Sequence, residues 1–197
     1  MVKQLLIKGN SKMGPHVFLY NLPAKETCTP TAWCLEGRDG KPRCYGLRNN
    51  FLLPSVVKAA HERLEHSKED DFVERMVAEI QKKNVEYFRW HSSGDFHSEE
   101  YVRKVMDIAE ACPDVKFRTT TRRRDLTDVI QELNALPNFI VRESLDGGRD
   151  TPIMGLPFAA AGKLPVVGEE TYLCPDDCPE CDYECWKGPI NMYFEEF

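Results

Sequence analysis

The sequence has little that would place it in a membrane or on a nucleic acid. No apolar run approaches the roughly 18 residues of a membrane span. The apolar stub in the opening MVKQLLIKGNSKMG is too short for the core of a secretory signal. Positive charge is in the minority: 26 Lys and Arg against 32 Asp and Glu give a net charge of −6. That argues against a general binder of nucleic acid or of membrane surfaces. There is no internal repeat and no low-complexity tract. With 42% hydrophobic and 29% charged residues, the 197-residue chain is expected to be cytoplasmic and to fold as one domain around one core.

What the sequence has in quantity is cysteine, eight in all. In a reducing compartment such residues are metal ligands or catalytic thiols more often than disulfides.

Three stretches differ in character. Residues 1–49 are broken by Gly9, Gly14, Pro15, Pro23, Pro30, Gly37, Gly40 and Pro42, with one strand-like run at Val17–Leu22. Residues 50–168 alternate helix and strand patterns. Leu53, Val56, Val57, Ala60 and Leu64 share a helical period after Pro54, and a second helix is expected over 69–83. Strands are expected at Val85–Trp90, Val115–Thr121 and Phe139–Leu145, with helices from Ser98 and over 125–136 between them. Segment 153–163 is ambiguous, and Val166–Val167 is a possible last short strand. Residues 169–197 are acidic and rich in cysteine. Strands joined by helical crossovers pair in parallel. Four or five strands are too few for a closed eightfold barrel. The expected fold is therefore α/β: a partial, open β/α barrel or a small parallel sheet, flanked by cysteine-bearing ends.

Cys174, Cys178, Cys181 and Cys185 stand in a C-x3-C-x2-C-x3-C run. Structural zinc usually draws on two short pairs separated by a longer loop. Four closely spaced thiolates fit iron–sulfur ligation better. An iron–sulfur cluster is the first expectation, with zinc and unligated or disulfide-bonded thiols as alternatives. Asp176, Asp177, Glu180, Asp182 and Glu184 around them are expected to be solvated. Cys28, Cys34 and Cys44, spaced C-x5-C-x9-C, are one thiol short of a full set. They bind a cluster with one iron open, share a site with the C-terminal cysteines, or are plain loop thiols. Cys112, at a helix end, reads as a buried free thiol.

In parallel α/β folds function gathers at the C-terminal strand ends. Three such ends are polar here. His91–Phe96 holds a tight-turn Gly94 and an Asp95 suited to a cation, a ribose or a backbone amide. Thr119–Arg124 combines hydroxyls with three guanidiniums, which suits phosphate or a solvated basic face. Glu143–Gly148 sets two carboxylates beside a turn. Parallel strands would put His91, Asp95, Arg122 and Asp146 on one face as the candidate catalytic group.

Several stretches together resemble the phage-associated gene product 88 family. They are Asn10–Gly14, Tyr20–Cys28, Trp90–Phe96, Thr121-Arg122, Ser144–Asp146 and the ending at Cys185-Trp186. The resemblance implies a phage or prophage origin, hence the host cytoplasm, and no defined activity. A weaker resemblance, to radical SAM proteins, rests on Ser144–Gly147 and on the Cys174-x3-Cys178-x2-Cys181 spacing. That spacing lies at the opposite end of the chain from the usual one, and Cys185 fills the fourth position. The expected function is that of a phage-type iron–sulfur protein, of [4Fe–4S] type, in electron transfer or structure, with a redox partner or a host protein as its unidentified partner. The alternatives are a radical-SAM-like enzyme with an open-iron cluster at Cys28, Cys34 and Cys44, and a zinc-stabilised module binding nucleic acid through Arg122–Arg124.

Overall fold

The computed structural model describes residues 4–37, 40–147, 150–162 and 170–195. Among them run, in chain order, β1 (Ile7–Lys8), β2 (Val17–Tyr20), α1 (Ala32–Glu36), α2 (Pro54–Lys68), α3 (Phe72–Lys82), β3 (Tyr87–Trp90) and α4 (Glu99–Ala111). There follow β4 (Lys116–Thr121), α5 (Thr127–Asn134), β5 (Phe139–Gly147), β6 (Phe158–Gly162), β7 (Thr171–Leu173) and β8 (Asn191–Phe194).

The strands form one open sheet in the order β1-β2-β3-β4-β5-β6-β8-β7. Every pair is parallel except β1 with β2. The α/β architecture with parallel strands is as expected, but the described residues hold eight strands where four or five are expected. The added ones are short or weakly patterned. Phe158–Gly162 is mostly alanine, and Thr171–Leu173 and Asn191–Phe194 lie in the acidic, cysteine-rich stretch. The possible strand at Val166–Val167 lies outside the described residues.

Local rules explain the helices. Ser98 Oγ accepts the Tyr101 amide at the start of α4, and Tyr101, Val102, Val105, Ile108 and Ala109 bury one stripe. α2 starts on Pro54, as its sequence suggests, but does not bury the stripe expected of it. Leu53, Val56 and Val57 are exposed, while Ala60, Arg63, Leu64 and His66 face inward. The helix is turned so that Arg63 Nε donates to the Leu5 carbonyl at 3.0 Å and the Arg63 carbonyl accepts Tyr20 Oη at 2.6 Å. A buried guanidinium given acceptors outweighs a few apolar side chains left in water.

The two sheet faces are covered differently. α2–α5 pack a large core against Tyr20, Phe88, Trp90, Phe117 and Val141. The other face carries Val17, Tyr87 and Ala159, and the C-terminal segment covers it through Cys185, Trp186 and Met192.

One backbone position at the β3 end is sterically fixed. Gly94 has φ +79°, and a Cβ there would lie 2.6 Å from Leu22 Cβ, 2.8 Å from Thr27 Oγ1 and 2.9 Å from the Leu22 carbonyl carbon. Gly94→Ala should combine left-handed strain with overpacking and cost about 2–4 kcal/mol. Urea unfolding of the two proteins measures it; a loss below about 0.5 kcal/mol would contradict this geometry.

Candidate functional site

The polar strand ends do converge, around one carboxylate. Asp95, fully buried just past β3, accepts the Thr121 hydroxyl at 2.7 Å, the Arg122 amide at 2.9 Å and the Phe96 amide at 2.8 Å. Its own amide donates to Thr27 Oγ1 at 3.0 Å. Asp95 therefore ties the β3 and β4 ends together. Burial pushes its carboxyl up to about 6, against the pull of the Arg122 amide, the Thr121 hydroxyl and the Phe96 amide.

Beyond it, Arg122 Nη2 lies 2.7 Å from Asp146 Oδ1 at the end of β5, and Asp146 Oδ2 accepts the Thr31 hydroxyl at 2.6 Å. The second nitrogen of the fork, Arg122 Nη1, is buried with no hydrogen-bond partner. Asp95, Arg122 and Asp146 thus stand together. His91 does not join them. Its φ of +56° turns the ring into the helix-side core, where Nε2 lies 3.0 Å from Tyr101 Oη and Phe96 packs edge-on. Burial, reinforced by His97, pushes its pKa down to about 3.

The other charged candidates at these ends serve the fold. Glu143 accepts Arg124 Nε at 2.7 Å and the amides of Ile153 and Met154, so it points away from Asp146 and forms no carboxylate pair with it. Arg123 pairs with Asp125, and Arg124 also with Asp150. Arg122–Arg124 are committed to carboxylates and do not form an open basic face. A cleft of about 350 Å³ opens here, lined by Thr29, Thr31, Arg122, Arg124, Ser144 and Asp150 among others.

The N-terminal thiols sit at this same end. The Cys44 amide donates to the Cys34 carbonyl at 3.2 Å, and Thr31 Oγ1 accepts the Cys34 amide at 3.3 Å. Cys44 interacts electrostatically with Cys34 and Arg122, and Cys28 with Asp95 and Cys44. Burial pushes the Cys28 thiol up to about 12.

The C-terminal thiols lie on the helix-free face. The Cys178 amide donates to the Lys12 carbonyl at 2.7 Å, and Cys174 N to the Tyr193 carbonyl at 2.9 Å. Tyr183 stacks on Tyr87 at 4.2 Å. Beneath them are two buried arginines. Arg142 donates to the carbonyls of Cys185, Gly188 and Ile190 at 2.8–2.9 Å. Arg118 lies 4.2 Å over the Trp186 ring, and its Nε has no hydrogen-bond partner. Among the described residues it makes no ion pair; the thiols of Cys185, Cys178 and Cys174 are its electrostatic neighbours, along with Arg89. Those thiols also neighbour one another and Cys181. Burial raises both Cys174 and Cys178, the latter to about 11. Among the described residues, no three His, Cys, Asp or Glu side chains converge closely enough to hold a single metal ion as they stand. The surrounding acids are surface groups, as expected, with Asp176 paired to Lys12 and Asp182 to Lys187. Cys112 is a buried free thiol.

Arg118 and Arg142 are the residues that sequence reasoning overlooks. Their signal is present: Phe88-Arg89, Phe117-Arg118 and Val141-Arg142 each put an arginine directly after an apolar strand residue. Period-2 alternation places such a residue on the face opposite the helices.

Asp95 carries a pH test. Its carboxyl binds a proton more tightly in the folded chain than at the ordinary 3.8, so its contribution to stability falls as pH rises from about 4 to about 6 and is level above. Relative to Asp95→Asn, the native protein should gain on the order of 2 kcal/mol between pH 7 and pH 4. Urea unfolding of both proteins across that range measures the difference, and parallel pH profiles would contradict it.

Neither the comparison with curated proteins nor that with solved structures gave a match. The family model described as gene product 88 matches residues 3–157. That stretch takes in Cys28, Cys34, Cys44, Asp95, Arg122 and Asp146 and ends before Cys174. With more than half of its length matched, including the strand ends just described, the chain belongs to the gene product 88 family.

Proposed function

We propose that the protein is an iron–sulfur protein in which Cys174, Cys178, Cys181 and Cys185 hold a cluster of [4Fe–4S] type on the helix-free face of the sheet. The observation that carries this reading is Arg118. A guanidinium taken out of water needs counter-charge, and leaving it bare costs several kcal/mol. No carboxylate pairs with it among the described residues; the thiols of Cys185, Cys178 and Cys174 are its electrostatic neighbours instead. A cluster held by four thiolates carries net negative charge and would supply what Arg118 lacks.

The donor set also favours a cluster over zinc. A tetrahedral zinc with Zn–S near 2.3 Å needs its four sulfurs within about 3.8 Å of each other. A C-x3-C-x2-C-x3-C run lacks the longer loop between two short pairs that structural zinc usually draws on, whereas a polynuclear cluster spreads its ligands. When bound, the cluster would supply a one-electron couple and a covalent tie. The chain's own residues do the rest: Arg118 balances charge, Arg142 holds the loop through Cys185, Gly188 and Ile190, and Tyr183 and Trp186 keep water from the inner side. A phage-encoded protein acting in the host cytoplasm is consistent with the family, and no helix among the described residues is long and apolar enough to cross a membrane.

Anaerobic purification followed by iron, acid-labile sulfide and zinc counts tests the reading. A brown protein with iron and sulfide is expected. Cys178→Ala and Cys181→Ala should each lower both counts, and Arg118→Met should speed iron loss to a chelator. Zinc without iron, or native iron content in both cysteine variants, would overturn it.

A further inference from the structure

We propose that the exposed start of α2, with the loop before it, is the interface for a second copy of this chain in a two-fold dimer. This stands apart from the C-terminal cysteines and does not depend on what they hold.

Among the described residues seven large apolar side chains are exposed, and five of them, Tyr45, Leu52, Leu53, Val56 and Val57, lie within residues 45–57. Leu52 and Leu53 are 58% and 50% exposed, and every residue from 52 to 58 is exposed. The start of α2 therefore packs on no side. Its own sequence supports it weakly: it has no side-chain cap, no acidic residue in the first turn, and two adjacent β-branched residues. A helix start without packing is marginal in water. The patch is nonetheless held from behind. Tyr45 packs on Phe51 with ring centroids 5.6 Å apart, and its hydroxyl accepts from Arg89 Nη2 of β3 at 3.0 Å. Gly46 closes against the β3 end, where a Cβ would lie 3.2 Å from Ser93 Cβ and 3.0 Å from Ala24 Cβ.

Area and charge point to a second copy as the occupant. The five side chains offer on the order of 400 Å² of apolar surface, the size at which a patch on a monomer marks an interface. A stable interface of standard size takes about 800 Å² from each partner, somewhat more than half of it apolar. The patch thus supplies the apolar centre of one such interface. Its two ends carry opposite charge: Arg48 precedes it and Glu62 follows it. A ligand of one sign would match only one end. A two-fold axis through the middle of the patch matches both, because it reverses one copy against the other. Leu53 of each copy then meets Val57 of the other, and Arg48 of each comes beside Glu62 of the other. The stem of Lys58, a side chain 77% exposed, covers Leu52 of the other copy while its ammonium stays in water.

Sedimentation velocity of the full chain in reducing buffer, from about 1 to about 200 μM, tests the interface, since an equilibrium between one copy and two shifts with concentration. The native protein should pass from monomer to dimer. Leu53→Glu and Val57→Glu, both at exposed positions, should keep the native circular dichroism spectrum and raise the dimer dissociation constant about a hundredfold, because each brings unpaired carboxylates into the apolar centre. Glu62→Lys should raise it about tenfold at low salt and less at high salt. In hydrogen exchange, the amides of residues 55–58 of the native protein should slow as it is concentrated through the same range. A native protein that stays monomeric throughout overturns the inference, and so does a dimer that both Leu53→Glu and Val57→Glu leave intact, which would put the contact on another surface. A monomer that binds phosphatidylglycerol vesicles, and loses that binding in Val57→Glu, would assign the patch to a membrane surface instead.

Discussion

The helix-free face of the sheet depends on how one arginine is satisfied. Arg142 is fully buried in the middle of β5, and burial pushes its pKa down to about 10. A charge in that position is tolerable only with its donors used, and all three nitrogens reach carbonyls of the segment between Cys185 and Ile190. Those three bonds fix the path of the chain across the sheet. They set Trp186 over Arg118, let Trp186 Nε1 donate to the Phe88 carbonyl at 3.2 Å, and deliver β8 to the edge of β6. Polar specificity here replaces the large apolar interface that the helices make on the other side.

The strand ends use the same device in a lighter form. A chain of bonds runs from Thr27 through Asp95, the Arg122 backbone and the Arg122 side chain to Asp146, Thr31 and the Cys34 amide. It joins the loops after β2, β3 and β4 to the end of β5. Small hydroxyl residues lie between charged ones along it, and the buried atoms of the path with no hydrogen-bond partner are Arg122 Nη1 and Asp146 Oδ1, the latter in the ion pair with Arg122 Nη2. His91 supports this layer from the core side, its ring between Phe96, Trp90 and Tyr101.

The helical crossovers and the central strands β2–β5 were legible because the strands are short apolar, aromatic and β-branched runs and two of the helices begin on Ser98 or Pro54. β6 was not, since an Ala-Ala-Ala run has no periodicity to read. β7 and β8 were hidden by their shortness and by the cysteines around them. At the site, the chemistry of Asp95, Arg122 and Asp146 showed in their place after apolar runs. The inward turn of His91 did not, because it follows from a positive φ that no neighbouring glycine announces. The committed state of Arg123, Arg124 and Glu143 depends on partners 2–26 residues away in sequence, Asp125, Asp150 and the Ile153 and Met154 amides among them. Spacing alone cannot reveal such pairings.

The Cys178 amide bonds the Lys12 carbonyl, and Tyr183 and Pro179 close over Gly14, where a Cβ would stand 2.4 Å from Tyr183 Oη. Residues 12–14 and 178–183 therefore meet directly. During synthesis β2–β5 and their helices leave the ribosome before residues 174–194, so Arg118 and Arg142 stay hydrated on an uncovered face until that segment follows. That face is dehydrated only when residues 174–194 cover it, and a chain lacking them would carry its helical side over two bare guanidiniums.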